Sequence, residues 1–111
     1  MKRLNFYPYY EDYLRSKSKT TTLRLDNHLG FVPGEEIIIT VGWDENSCLD
    51  LHKGIIKEVY GRLICNISER DLEGESPDCR SKETAKLVLG CIYRKKISDD
   101  DSVWIVKFEH R

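Results

Sequence analysis

Ser16-Lys17-Ser18-Lys19-Thr20-Thr21-Thr22-Leu23-Arg24-Leu25 reads as a corner running into a strand. Three consecutive β-branched threonines favour extended backbone, and Leu23 and Leu25 supply an alternating apolar edge. Alternation sends Thr21, Leu23 and Leu25 to one face and Thr20, Thr22 and Arg24 to the other. One surface then carries a guanidinium and two hydroxyls, with Lys19 arriving from the preceding loop and Lys17 just before it. Such a set can grip a phosphate or an acyl oxygen, or carry out acyl chemistry. An ordinary solvated edge strand has the same spacing, so the surrounding chain must decide.

Upstream, Arg3–Tyr7 predicts a short strand. Pro8 suits the first turn of a helix that places Tyr10, Tyr13 and Leu14 on one face. Downstream, residues 26–31 read as loop, and Val32-Pro33-Gly34-Glu35 as a tight turn, with Pro preset at its second position and Gly free to take positive φ at its third. Glu36–Trp43 is apolar on both faces, hence a central strand. Leu49–Leu63 continues an extended pattern, with Gly54 and Gly61 as expected bulges or bends. An acidic stretch follows (Glu69, Asp71, Glu73, Glu75, Asp78). Ser81 is then a fitting N-cap for a helix over Ser81–Arg94, striped by Ala85, Val88, Leu89 and Ile92. Asp99–Asp101 is a turn, and Val103–Phe108 closes the chain as a strand with Trp104, Val106 and Phe108 on one side. The order predicts an α+β domain: a small, twisted, mostly antiparallel sheet or partly closed β-barrel with one or two covering helices.

At 111 residues, with a third of them charged and 40% apolar, the chain fits one globular domain spanning 1–111. No apolar run approaches the roughly 20 residues that a membrane span requires. The N-terminus lacks a small-residue cleavage site, so no membrane association and a cytoplasmic location are expected. Residues 1–25 hold six Lys/Arg against two acids, whereas the remainder holds twelve against seventeen. That distribution suits phosphate contact at one patch and argues against a broad duplex-binding surface. Cys48, Cys65, Cys79 and Cys91 contain no CxxC pair, and Cys48 and His52 share a face only by strand parity. The cysteines are expected to be small buried hydrophobes held reduced, with no metal and no cofactor.

Taken together, Lys17-Ser18-Lys19-Thr20-Thr21-Thr22-Leu23-Arg24, the Pro33-Gly34-Glu35 turn, the late helix ending Ile92-Tyr93 and the last strand ending Trp104-Ile105-Val106-Lys107-Phe108 resemble the ASCH domains. These are small barrels of the PUA-like superfamily, with the signature Gly-x-Lys-x-x-x-x-Arg. The resemblance spans nearly the whole chain. Lys19 and Arg24 fall on the signature's lysine and arginine, whereas its glycine falls on Lys17. What the resemblance implies is an RNA-binding module or a domain for a modified nucleoside. One branch, the short N(4)-acetylcytidine amidohydrolases, hydrolyses an acetylated nucleobase amide with a lysine, a threonine and a glutamate. Lys19-Thr20-Thr21-Thr22-Leu23-Arg24 matches that branch's Lys-Thr-x-Thr-x-Arg, which carries the lysine and threonine over to Lys19 and Thr22. Counting back from Ile92-Tyr93 lands on Asp78, while the nearest glutamate is Glu75, so the acid is one of these two.

The chemistry sets its own demands. A threonine hydroxyl is a poor nucleophile until a base takes its proton. A lysine acting as that base at pH 7 must be neutral far below its ordinary range, at a cost of about 4 kcal/mol. A lysine that stays charged stabilises the oxyanion instead. Tyr7 and Tyr9 are the candidates for stacking on a base, worth about 1–3 kcal/mol. Tyr10, Tyr13, Trp43 and Trp104 are expected in the core. The expectation is thus a monomeric PUA-like domain binding RNA or a modified nucleoside around Lys19, Thr22 and Arg24, with Lys17, Thr20, Tyr7 and Tyr9 assisting. Its alternative is an amidohydrolase acting on N(4)-acetylcytidine-type amides.

Overall fold

A computed structural model describes all of residues 1–111. The chain enters as β1 (Lys2–Phe6), one residue earlier than the apolar pattern suggests. It makes a single 3₁₀ turn at Pro8–Tyr10, where a proline costs no hydrogen bond, and passes directly into α1 (Glu11–Arg15). The helix stops because Lys17 adopts left-handed backbone, φ 64°. The amides of Ser18 and Lys19 then both donate to the Tyr13 carbonyl, at 3.0 and 3.2 Å. A residue with a Cβ thus makes the corner at the position of the signature glycine. Extended chain resumes as β2 (Thr21–Arg24).

After the turn at Gly34 come β3 (Glu36–Asp44) and the long β4 (Ser47–Leu63). Helix α2 (Lys82–Tyr93) and β5 (Ser102–His110) follow. The five strands form one sheet in the order β1-β3-β4-β5-β2. β1 runs parallel to β3, and the other three pairings are antiparallel. β3 lies inside the sheet and is covered on both faces, with Ile37 and Ile39 wholly buried on one and Thr40 on the other. β4 is long enough to pair with β3 along its first half and with β5 along its second.

Neither Gly54 nor Gly61 carries the expected bulge; register shifts along β4 fall beside them. His52 and Asp50 face the adjacent Ile39 and Thr40, which leaves Leu51 unpaired. Glu58 and Ile56 face the adjacent Lys107 and Phe108, which leaves Lys57 unpaired. These insertions increase the local twist, and the first breaks the parity between Cys48 and His52. Gly54 is regularly paired; it is glycine because a Cβ there would sit 2.8 Å from Ile39 Cδ1. Gly61 simply pairs with Trp104.

The sheet curls without closing. Its edges β1 and β2 share no backbone ladder, but Arg24 Nη2 donates to the Asn5 carbonyl at 2.6 Å. A side chain thus makes the last joint of a loose barrel. One core (Leu4, Phe6, Leu14, Ile37, Ile39, Phe108 and neighbours) fills the concave side. A second (Leu23, Ile64, Ala85, Leu89, Val103, Ile105 and neighbours) packs under α2. On β5, Val106 and Phe108 enter the first core while Val103 and Ile105 enter the second, following strand alternation. Helix α2 starts in a reciprocal cap: Thr84 N donates to Ser81 Oγ at 3.2 Å and Ser81 N to Thr84 Oγ1 at 3.0 Å.

The packing expectations for the tryptophans and the cysteines are corrected. Trp43 is 73% exposed and Trp104 37% exposed, so neither is core. Of the four free cysteines only Cys79 is buried; Cys65 and Cys91 are exposed and Cys48 is half-buried. No helix is long and apolar enough to cross a membrane.

Candidate functional site

Lys19 leaves the left-handed corner pointing inward and is only 3% exposed. Its ammonium donates to Glu75 Oε1 and, at 3.0 Å, to the Thr21 carbonyl. It also sits 4.9 Å from the Tyr10 ring centroid and 5.7 Å from that of Phe6. A buried cation is tolerable only with such a charged partner, a carbonyl and π faces around it. Glu75, 4% exposed, also accepts from the Ser76 amide at 3.0 Å.

The segment carrying Glu75 is fastened to the start of β2. The amides of Thr20 and Thr21 donate to the Gly74 carbonyl at 2.8 and 3.2 Å, and Thr21 Oγ1 donates to the Glu73 carbonyl at 2.5 Å. Gly74 has φ 89°, and a Cβ there would collide with Thr20 Oγ1, so only glycine fits this approach. Lys107 Nζ ties the same segment down through the carbonyls of Arg70, Asp71 and Glu73 and the Thr21 hydroxyl.

On the opposite face of β2, Thr22 is buried and its Oγ1 accepts from Arg24 Nε at 3.3 Å. The guanidinium lies 5.1 Å from the Phe6 ring centroid. Burial lowers the proton affinity of Arg24, with Tyr93 and Glu75 opposing, and the group stays charged at neutral pH. No buried side-chain nitrogen or oxygen in the molecule lacks a partner.

Lys19, Thr22, Arg24 and Glu75 open onto one cavity of about 510 Å³ at the junction of the two cores. Phe6, Tyr7, Tyr10, Phe31 and Tyr93 supply aromatic wall. The mouth is bordered by the 26–31 loop and the β3–β4 hairpin, where His28 bridges Asp26 (Nδ1–Oδ1 2.6 Å) and Glu45 (Nε2–Oε1 3.4 Å). The Asp26 hydrogen bond raises the proton affinity of His28, and His28 in turn holds Asp26 below the usual carboxylate range.

The other residues singled out from sequence lie off this wall. Lys17 is exposed at the corner, and the Thr20 side chain lies over Gly74. Asp78 turns away on the Pro77–Cys79 turn, accepting from Tyr10 Oη at 3.2 Å and Ser76 Oγ at 2.6 Å. Burial, then Asp78, pushes the Tyr10 phenol far above its ordinary range. Tyr9 is 66% exposed and borders a shallower apolar groove with Leu87 and Cys91, to which Asp78 also belongs. Tyr7 touches both hollows. Sequence reasoning missed Trp43, Asp26, His28 and Tyr93 in the wall. Trp43 had a signal, since it ends a strand against the polar turn Asp44-Glu45-Asn46.

Behind the site, His110 Nε2 meets the Lys19 carbonyl at 2.7 Å and His110 Nδ1 meets His52 Nε2 at 2.7 Å. A carbonyl only accepts, so His110 carries its proton on Nε2 and accepts at Nδ1 from His52. Burial depresses both imidazoles; His110 and the nearby cations Lys17 and Arg15 add to this at His52, while the Lys19 carbonyl opposes it at His110. No cluster of three or more His, Cys, Asp or Glu is arranged to hold a metal ion.

No family model and no curated protein matches this chain. Among the solved structures similar to it are two bacterial proteins. One is an ASCH domain from Lactobacillus crispatus JV V101, with a TM-score of 0.70 over 98% of this chain and 79% of its own, at 12% identity. The other is an Enterococcus faecalis V583 protein of the family model DUF984, with a TM-score of 0.57 over 89% of this chain and 67% of its own, at 20% identity. Likeness at these identities establishes architecture, and function must be argued from the site. The loosely closed five-stranded sheet with its covering helices therefore shares the fold of the Lactobacillus crispatus ASCH domain.

Proposed function

We propose that the chain binds a single modified nucleoside, or its base, in the cavity floored by Lys19, Thr22, Arg24 and Glu75. The observation that carries this reading is the convergence of those four side chains on one aromatic-walled hollow of about 510 Å³. That volume lies in the range of small-ligand sites. A ring can stack on the aromatic wall while the floor offers cations and a carboxylate to its polar edge. A long RNA fits less well: the net charge is −1 and the cations of the N-terminal quarter are spread over exposed positions such as Arg15 and Lys17.

A second reading, hydrolysis of an N(4)-acetylcytidine-type amide, is favoured by one specific observation. The acid in the cavity is Glu75, paired with Lys19, and not Asp78. The three residue types that the resembling branch uses thus border one hollow. In this reading Thr22 Oγ adds to the acyl carbonyl and its proton passes to the Lys19–Glu75 pair. The C–N bond breaks with that proton delivered to the exocyclic nitrogen, and water then releases acetate from Thr22. Lys19 or Arg24 stabilises the oxyanion.

Calorimetry with N(4)-acetylcytidine, together with chromatographic detection of acetate, tests both readings. Binding to wild type that is lost in Arg24→Ala is expected. If turnover occurs, Thr22→Ala and Lys19→Ala should each remove nearly all of it, because nucleophile and activator act as a unit. Thr21→Ala should be milder at the chemical step, since Thr21 faces Glu73 and Lys107. Binding without acetate leaves the first reading alone; no binding overturns both.

A further inference from the structure

The mouth of the cavity has a composition its floor does not explain. Trp43 exposes 73% of its surface, although an indole normally buries most of its area. It is nevertheless held in place, its ring centroid 5.6 Å from that of Tyr7 at an interplanar angle of 44°. Both rings border the cavity. Tyr7 is fixed by its position between β1 and the Pro8 turn, and Trp43 by the end of β3. Two aromatic faces at a cavity entrance, one nearly bare, form a stacking surface awaiting a flat partner.

Charge at the same entrance is one-sided. Among the residues lining the cavity, four carboxylates (Asp26, Asp44, Glu45 and Glu75) face two permanent cations, Lys19 and Arg24. Glu75 and Lys19 neutralise each other on the floor, and Arg24 is engaged with the Asn5 carbonyl and Thr22. The carboxylates at the mouth therefore have only His28 among them, held between Asp26 and Glu45. A dianionic phosphate held at the mouth would meet the like charge of Asp26, Asp44 and Glu45, while the Arg24 charge lies on the floor.

We infer that Trp43 and Tyr7 stack on the ligand's ring at the cavity mouth, and that Asp26, Asp44 and Glu45 make the site select a nucleoside or free base over the corresponding nucleotide. This rests on the reading of the cavity as a nucleoside site and names its substrate class. A ligand so chosen must be supplied by a reaction that removes phosphate from a nucleotide or cleaves a base from its sugar.

Trp104→Phe leaves Trp43 as the only tryptophan and lies outside the cavity wall. In that protein, titration with N(4)-acetylcytidine should change Trp43 fluorescence, and calorimetry should give the same affinity as in wild type. Trp43→Ala should weaken binding about tenfold, the loss of one stacked ring. The 5′-monophosphate of the same nucleoside should bind at least tenfold more weakly at low salt. Raising the salt, or substituting Asp44→Asn with Glu45→Gln, should narrow that gap. Unchanged affinity in Trp43→Ala, with the nucleoside still bound by wild type, overturns the stacking assignment and leaves the nucleoside reading intact. Equal or tighter binding of the monophosphate overturns the selection against phosphate. No binding of either compound to wild type overturns the nucleoside reading and this inference with it.

Discussion

The floor and the mouth of the cavity are built on opposite principles. On the floor, Lys19 and Glu75 are buried and joined to each other, and Thr22 and Arg24 are hydrogen-bonded to one another. Every buried side-chain nitrogen and oxygen there has a partner. At the mouth, Trp43, Asp26, His28 and Glu45 stand largely in solvent and interact through screened ion pairs and one aromatic contact. Buried charges cost several kcal/mol each in desolvation and repay it only while paired, whereas exposed pairs contribute little. The floor therefore ties ligand chemistry to folding, and the mouth can change specificity with little effect on stability.

The strongest way to break this contrast is to orphan one floor charge. Lys19→Met should destabilise by about 3–5 kcal/mol in urea unfolding, because Glu75 is left buried without its cation. Combining Lys19→Met with Glu75→Leu should cost clearly less than the two single substitutions added together. By comparison, Trp43→Ala at the mouth should stay within about 0.5 kcal/mol of wild type.

A smaller effect comes from the histidines behind the floor. His52 and His110 bind protons less readily in the folded chain than in the unfolded one. As pH falls through about 6.5, the unfolded state takes up protons that the folded state resists, so this contribution to stability is full above that pH and is lost below it. His28 at the mouth has the opposite sign: its raised affinity stabilises the fold below about 6.5 and fades as pH rises through its folded-state value. Urea midpoints at pH 7.5 and 5.5 separate the two. Relative to wild type, a His52→Gln/His110→Gln protein should lose less stability on acidification, and His28→Gln should lose more.

Much of the frame could be read from residues alone, and the reasons it stopped are physical. Thr20–Leu25 alternates as a strand should, the doubly apolar Glu36–Trp43 run lies inside the sheet, and Ser81 caps α2. Strand period also separates Thr22 from Thr21. It could not choose between Glu75 and Asp78, because that depends on the 3₁₀ turn at Pro77–Cys79, which sends Asp78 to Tyr10. Nor could it find the His52–His110 contact, formed across 58 residues and a bulge that resets the parity of β4. The exposure of Trp43 and Trp104 is not legible in sequence, because an aromatic residue in a strand has the same pattern whether its face meets core, cavity or water.

The corner between α1 and β2 offers the smallest effect. Lys17 holds φ 64°, a conformation costing a side-chain-bearing residue roughly 1–2 kcal/mol, while glycine at the same place loses more freedom on folding. Lys17→Gly should therefore raise stability by up to about 1 kcal/mol in urea unfolding. Ligand affinity should be unchanged, since Lys17 lies outside the cavity wall.

The most direct test of the central claim, that Lys19, Thr22, Arg24 and Glu75 form one ligand cavity, is a two-dimensional amide NMR titration with N(4)-acetylcytidine. Perturbed signals should cluster at Thr22, Arg24, Phe31, Glu75 and the Trp43 indole, while Lys2, Arg15 and Lys17 stay fixed. Perturbations confined to the exposed basic residues of the N-terminal quarter, or spread without relation to the cavity, would contradict it.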